Sequence, residues 1–447
     1  MRVRLSPVGG AGYGGLASAC RKHWREIVCC LGWAPLSFGM VQNVAPTSED
    51  DYLTGAVSDP VVALQARIYT GSLKLAYEPK QGFLRAILHE LKIAPSSQIL
   101  VFSKTSLQTA YIAAATPRAV YFNDRTYVGW IKDAPNIEIA SVDPKRGPIF
   151  YTVRNTPRPR PNFIRQTMDC LQCHESSMTN HVPGLAARSV FAGADGLPRL
   201  ANGSYSTTYR SPFKERWGGW YVTGKHGEMR HMGNEPATGG DTDSKIDTDR
   251  GANVTDLRPY IDVDSYLTPH SDIVSLMVAE LQMDVQNLIT KTSFLARDAL
   301  RDESIFSPDE FKSGKLTPNT IGRIQHACEP LIQSLLCIDE FRLTSPVTGT
   351  SGFEAEYSES APKDRKGRSL SQLDLKSRLL RYRCSPMIYS TAIDSLPKEA
   401  KAQVFHRLAE ILTGKDVSAP YDQLTAADRQ AILEILKDTK PAFADAL

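Results

Sequence analysis

The hydrophobic pattern of this chain changes period, and that change constrains its fold more than any other feature. Five short runs are β-branched and aromatic: Ile99–Phe102, Ala119–Phe122, Thr126–Ile131, Ile137–Val142 and Ile149–Val153. Turn formers such as Asn123-Asp124 and Asp143-Pro144 separate them, which predicts a small sheet. Ahead of it, residues 50–95 read as helical through Leu64, Ile68, Leu73 and the apolar positions of Phe83–Leu91. Residues 187–235 read as strand-rich again, ending in Trp217–Thr223, and 236–257 as a polar surface loop. From residue 270 the period is helical: Val274, Met277, Val278, Leu281, Val285 and Leu288 share one face. Further helices are expected over 319–338, 375–394 and 397–413. Pro397 and Gly414 bracket the last of these. Thr425-Ala-Ala-Asp428 reads as a capping box before Ile432, Leu433, Ile435 and Leu436. The class is therefore α+β, with a small N-terminal β-rich region, a cysteine-bearing middle and a large C-terminal helical region. The expected boundaries are a leader over 1–45, a mixed helix and sheet domain over 46–165, the middle region over 166–257 and a helical domain over 258–447.

Composition excludes several function classes. The 447 residues carry 52 basic against 49 acidic side chains, a net charge of +3. A dedicated nucleic-acid binder would be strongly basic, so no nucleic-acid partner is expected. Beyond residue 50 no apolar run approaches the ~18 residues of a membrane helix, so no span is expected in the mature chain. No P-loop, G-x-S-x-G or dinucleotide glycine fingerprint occurs. The aspartates of Asp241–Asp249 fail the calcium-loop pattern, with Ile246 and Ala252 where Gly and Glu are required.

The cysteines are more informative. Of eight, only Cys170 and Cys173 are spaced as C-x-x-C, and His174 follows at once. Two thiols at this spacing add across the two vinyl groups of a haem, and the adjacent imidazole then ligates the iron. One covalent haem c, held by Cys170, Cys173 and His174, is therefore expected. Two other chemistries use C-x-x-C. A thioredoxin-type redox pair opens a helix after a strand of a βαβ unit. A zinc site needs a second ligand pair, and no second C-x-x-C exists. For the sixth iron position the segment Thr223–Asn234 offers His226, Met229, His231 and Met232. His231 is the expected ligand and Met232 the runner-up, with His181, His270 and an open position as further alternatives. Arg158, Arg160 and Arg165 are candidate partners for haem carboxylates or plain surface arginines. Trp217, Trp220 and Tyr221 could wall the haem or serve as core.

The N-terminus is poor in acid, with Arg2, Arg4, Arg21, Lys22 and Arg25 against Glu26 alone, and Ile27–Val41 is apolar. That order resembles a secretory signal, although Pro35 interrupts the apolar stretch and Pro46 follows the cleavage candidate Ala45. Export to the periplasm is expected, in part because haem c is attached outside the cytoplasm. Cys20, Cys29 and Cys30 carry no assigned function.

Beyond single motifs, the chain resembles a family of exported bacterial cytochrome c-domain proteins. The resemblance rests on Cys170-Leu-Gln-Cys-His174, Val182-Pro-Gly184, Arg188-Ser-Val190, Trp217-Gly-Gly-Trp-Tyr-Val-Thr-Gly224, His226-Gly227 and Arg230-His-Met-Gly-Asn234. It continues through Leu267–Val274, Gly349–Phe353 and Asp438–Pro441. It implies covalent haem c, export, electron transfer to a redox partner protein, and large helical extensions. Members often carry a His-Gln pair in the helix after residue 274, where this chain has Leu281-Gln282. Two functions follow: an electron-transfer cytochrome with six-coordinate iron, or a haem enzyme, peroxidase-like or a small-molecule oxidoreductase, with an open distal site. No catalytic residue is assigned.

Overall fold

An antiparallel sheet and one long buried helix organise the chain, as described by a computed structural model covering residues 48–445. The expected leader and its three cysteines lie outside the described residues. Three helices come first: α1 (Ser48–Thr54), α2 (Pro60–Tyr69) and α3 (Leu84–Glu90). Asp59 caps α2 by accepting from Val61 and Val62, and its other oxygen takes the Tyr151 hydroxyl at 2.6 Å. The strands follow: β1 (Ile99–Val101), β2 (Arg118–Phe122), β3 (Thr126–Trp130), β4 (Asn136–Asp143), β5 (Gly147–Arg154) and β6 (Phe163–Gln166). They form a meander in which each strand pairs with the next, and a distant strand, β9 (Trp220–Tyr221), completes the seven-stranded order β6-β5-β4-β3-β2-β1-β9.

The five expected strand runs all fold as strands because their alternation matches a half-buried sheet. Ala119, Tyr121, Val128, Trp130, Ile137, Ile139, Ile149, Tyr151 and Val153 face the core. The opposite face holds Arg118, Val120, Gly129, Glu138, Ala140 and Thr152, all partly exposed.

Helix α4 (Met168–His174) follows β6 directly, and β7 (Ala187–Val190) pairs with β8 (Ser204–Thr207) as a separate hairpin. β9 is only Trp220–Tyr221, paired with β1 through Leu100↔Tyr221. The expected strand-rich stretch 187–235 is thus mostly irregular. Its aromatic residues are buried from turns, and Trp217 (φ 67°) and Gly219 (φ 83°) take a left-handed backbone that no strand allows.

Helix α5 (Ile273–Phe306) runs for 34 residues, and every residue from Ile273 to Thr290 is buried. A helix covered all round must bury its polar side chains with partners. Glu280 pairs with Arg216 at 2.9 Å, Asp284 accepts from Ser334 at 2.7 Å, and Thr292 donates to the Ala327 carbonyl at 3.0 Å. The remaining helices are α6 (Pro308–Lys312), α7 (Pro318–Leu335), α8 (Phe353–Ser358), α9 (Thr391–Asp394), α10 (Lys398–Leu412), α11 (Ala426–Thr439) and α12 (Pro441–Ala444). The Thr425–Asp428 capping box forms as expected. The helix expected over 375–394 does not: Leu375 has φ 55°, Leu373 bridges Leu380, and only α9 at its end is α-helical. No described helix is long and apolar enough to cross a membrane.

Candidate functional site: the Cys170–His174 helix and its surroundings

Helix α4 is the whole C-x-x-C-H string. Leu171 is its one buried residue and anchors it, while Cys173 is exposed and Cys170 half-buried. Positions 170, 173 and 174 stand three and four apart, so both sulfurs and the imidazole share one helix face. Edge strand β6 delivers this helix to the partly exposed sheet face, where the His174 ring lies 4.6 Å from Phe150.

A single hydrogen bond decides what His174 can do. Its Nδ1 contacts the Gly184 carbonyl at 2.9 Å. A carbonyl only accepts, so Nδ1 carries the proton and Nε2 keeps a free lone pair, the tautomer a metal-ligating imidazole needs. Burial also holds the His174 pKa below its ordinary value. The carbonyl is itself held in place. Asn287 of α5 accepts from Leu185 N at 2.8 Å and donates to Leu185 O at 2.7 Å, clamping the residue after Gly184. Gly184 lies so close that a Cβ there would stand 2.5 Å from the Asn287 Oδ1.

His231 and Met232 are in a different setting. They follow β9, and the haem motif follows β6, at opposite edges of the sheet. The ring neighbours of His231 are His226 at 4.8 Å, Trp217 at 5.3 Å and Phe213 at 6.1 Å. Its tautomer is also the reverse of that of His174. The Gly233 N–H donates to His231 Nδ1 at 3.0 Å, so the proton sits on Nε2 and no outward lone pair remains. His226 is fixed likewise, its Nε2 accepting from Asn253 N at 3.0 Å. The Met232 sulfur takes the Ser189 hydroxyl at 3.6 Å. His231 and Met232, expected at the sixth iron position, are 2% and 5% exposed here.

The other expected pocket residues also find partners elsewhere. Arg165 donates to the Tyr52 carbonyl and lies over the Tyr52 ring. Arg158 lines an open cleft of about 680 Å³ with Lys74, Tyr77, Phe83, Pro157 and Pro159. Trp220 donates to the Arg188 carbonyl at 2.9 Å, and Tyr221 to that of Ala114 at 2.7 Å. Arg118 and Glu138, whose charges act on His174, escaped sequence reading. They stand 20 residues apart and meet only through strand register.

The arrangement bears on the three chemistries of C-x-x-C. Every strand pairing in the two sheets is antiparallel, so α4 does not open a βαβ unit. Burial, with Glu138 and Asp169, pushes the Cys170 thiol up to about 11, opposite to an activated redox thiol. Among the described residues no group of three His, Cys, Asp or Glu side chains is placed to hold a metal ion, as zinc would require. Two thiols and one ligand-ready imidazole on one helix face fit haem c. Comparison of the chain with protein-family models, with curated proteins and with solved structures found no match.

Proposed function

We propose that this chain is an exported mono-haem c protein that moves electrons, with Cys170 and Cys173 as thioether anchors and His174 as the axial ligand. The observation that carries this reading is the His174 Nδ1–Gly184 bond, which frees Nε2 beside two thiols on the same helix face. Haem held there would supply one-electron iron chemistry. The chain's own part is to fix the imidazole through Gly184 and Asn287 and to shield one side with Phe150. Maturation in a periplasm equipped for haem c attachment, followed by acid–acetone extraction, tests the proposal. Haem stays with the wild-type chain and is extracted from Cys170→Ala/Cys173→Ala. Extraction from the wild type, or zinc in place of haem, refutes it.

A second reading is a haem enzyme with an open sixth position, favoured by the Gly233 N–H donating to His231 Nδ1, which leaves the proton on Nε2. Carbon monoxide distinguishes the two. A Soret band unchanged by the gas supports a closed electron carrier, and a shifted band supports the enzyme. In either case His231→Ala leaves the iron spectrum as in wild type.

A further inference from the structure

The sheet face beside His174 carries one charged pair built across three strands. Phe150, the ring against His174, pairs with Ala140 on β4, and Glu138 lies two residues away on the same face. Glu138 accepts from Arg118 Nη1 at 3.2 Å, Ser106 Oγ at 3.0 Å and Gln108 Nε2 at 3.2 Å. Arg118 stands on β2 and must cross β3 to reach it. The residue crossed is Gly129, where an added Cβ would already touch Arg118 Cδ at 3.6 Å and Glu138 Cβ at 3.8 Å. A longer side chain there would occupy the lane.

The two side chains are 19% and 18% exposed, so water screens them less than surface charges. The Arg118 Nε has no hydrogen-bond partner among the described residues.

We propose that Arg118 and Glu138 set the redox potential of the iron held by His174, acting in opposite directions through space; this rests on the haem c reading above. Oxidised iron carries one more positive charge than reduced iron. A nearby carboxylate therefore stabilises the oxidised form and lowers the potential, and a nearby guanidinium raises it. Neither residue is a ligand.

Potentiometric titration of the haem-loaded full chain is the test. Glu138→Gln, which keeps shape and removes charge, raises the midpoint potential. Arg118→Gln lowers it, and Arg118→Lys stays near wild type. The double Gln variant lies closer to wild type than either single variant, because the pair it removes is neutral. Potentials unmoved in both single variants overturn the inference. So does movement in the same direction, the mark of general water entry. A chain that carries no covalent haem overturns the haem reading itself, whereas a haem-loaded chain with unmoved potentials overturns this inference alone.

Discussion

Replacing Asn287 tests whether α5 holds the carbonyl that orients His174. Asn287 is 3% exposed and makes both of its bonds to one residue, Leu185. Asn287→Leu leaves no cavity, and the larger side chain adds overpacking on top of the lost hydrogen bonds. It removes two hydrogen bonds and leaves the Leu185 N–H and C=O buried without partners. Each orphaned group costs about 1–3 kcal/mol, so the loss should be about 2–6 kcal/mol. Gln282→Leu, on the same helix, is the control. The Gln282 Oε1 has no hydrogen-bond partner among the described residues, so its removal should cost under about 1 kcal/mol. Urea unfolding of both variants beside wild type gives the two values. In the haem-loaded chain Asn287→Leu should also weaken His174 ligation, seen as growth of high-spin absorbance, and Gln282→Leu should not. If Asn287→Leu costs no more than Gln282→Leu, α5 is not what positions the Gly184 carbonyl.

Two further outcomes concern buried charge. His231 is 2% exposed, and burial holds its pKa well below 6.5. The unfolded chain therefore binds a proton that the folded chain refuses, and stability falls as pH drops below about 6.5, by up to about 1.4 kcal/mol per pH unit for this one group. His231→Phe should flatten that slope in urea melts between pH 6.5 and 5, and an unchanged slope refutes the assignment. Arg216→Met strands Glu280, which is 1% exposed and whose pKa burial already raises from 4.5. The loss should be about 3–5 kcal/mol at neutral pH. It should shrink toward pH 5, because a carboxyl with a raised folded pKa is destabilising only above its unfolded value. A loss independent of pH would mean that packing, not charge, is at stake.

The parts legible in the sequence were those written in neighbouring residues. Alternation marked β2 to β5, the C-x-x-C-H string marked α4, and Thr425 with Asp428 marked the start of α11. β9 lies inside the strand-like run Trp217–Thr223, but only two of its residues pair and their partner β1 lies some 120 residues earlier, which no local pattern reveals. The stretch 375–394 carries apolar residues at helix-like intervals, yet Leu375 and Leu380 reach the core from a tight turn closed by Asp374, which accepts from Ser377 and Arg378. The histidines show the limit most clearly. His174 and His231 are the same side chain, and what separates their tautomers is whether Nδ1 meets a carbonyl or an N–H. That depends on the backbone of Gly184 and Gly233, which residue type does not reveal. Arg118 and Glu138 stayed hidden for a similar reason, being joined across Gly129 by register alone.

The burial of the first half of α5, Ile273–Thr290, on every side limits where this protein can be cut. One stretch of that helix touches Gly147 through Thr290, the haem-motif loop through Asn287 and α7 through Thr292. A shortened gene ending before residue 273 would still encode Cys170, Cys173 and His174. Its product would lack the rod on which those residues are assembled, and would expose Leu185, Trp217 and Ile149 to water. A protease acting on the exposed aspartate-rich loop near Asp241 would meet the opposite situation. The two pieces would stay clasped around the helix, nicked on a denaturing gel and whole on a sizing column.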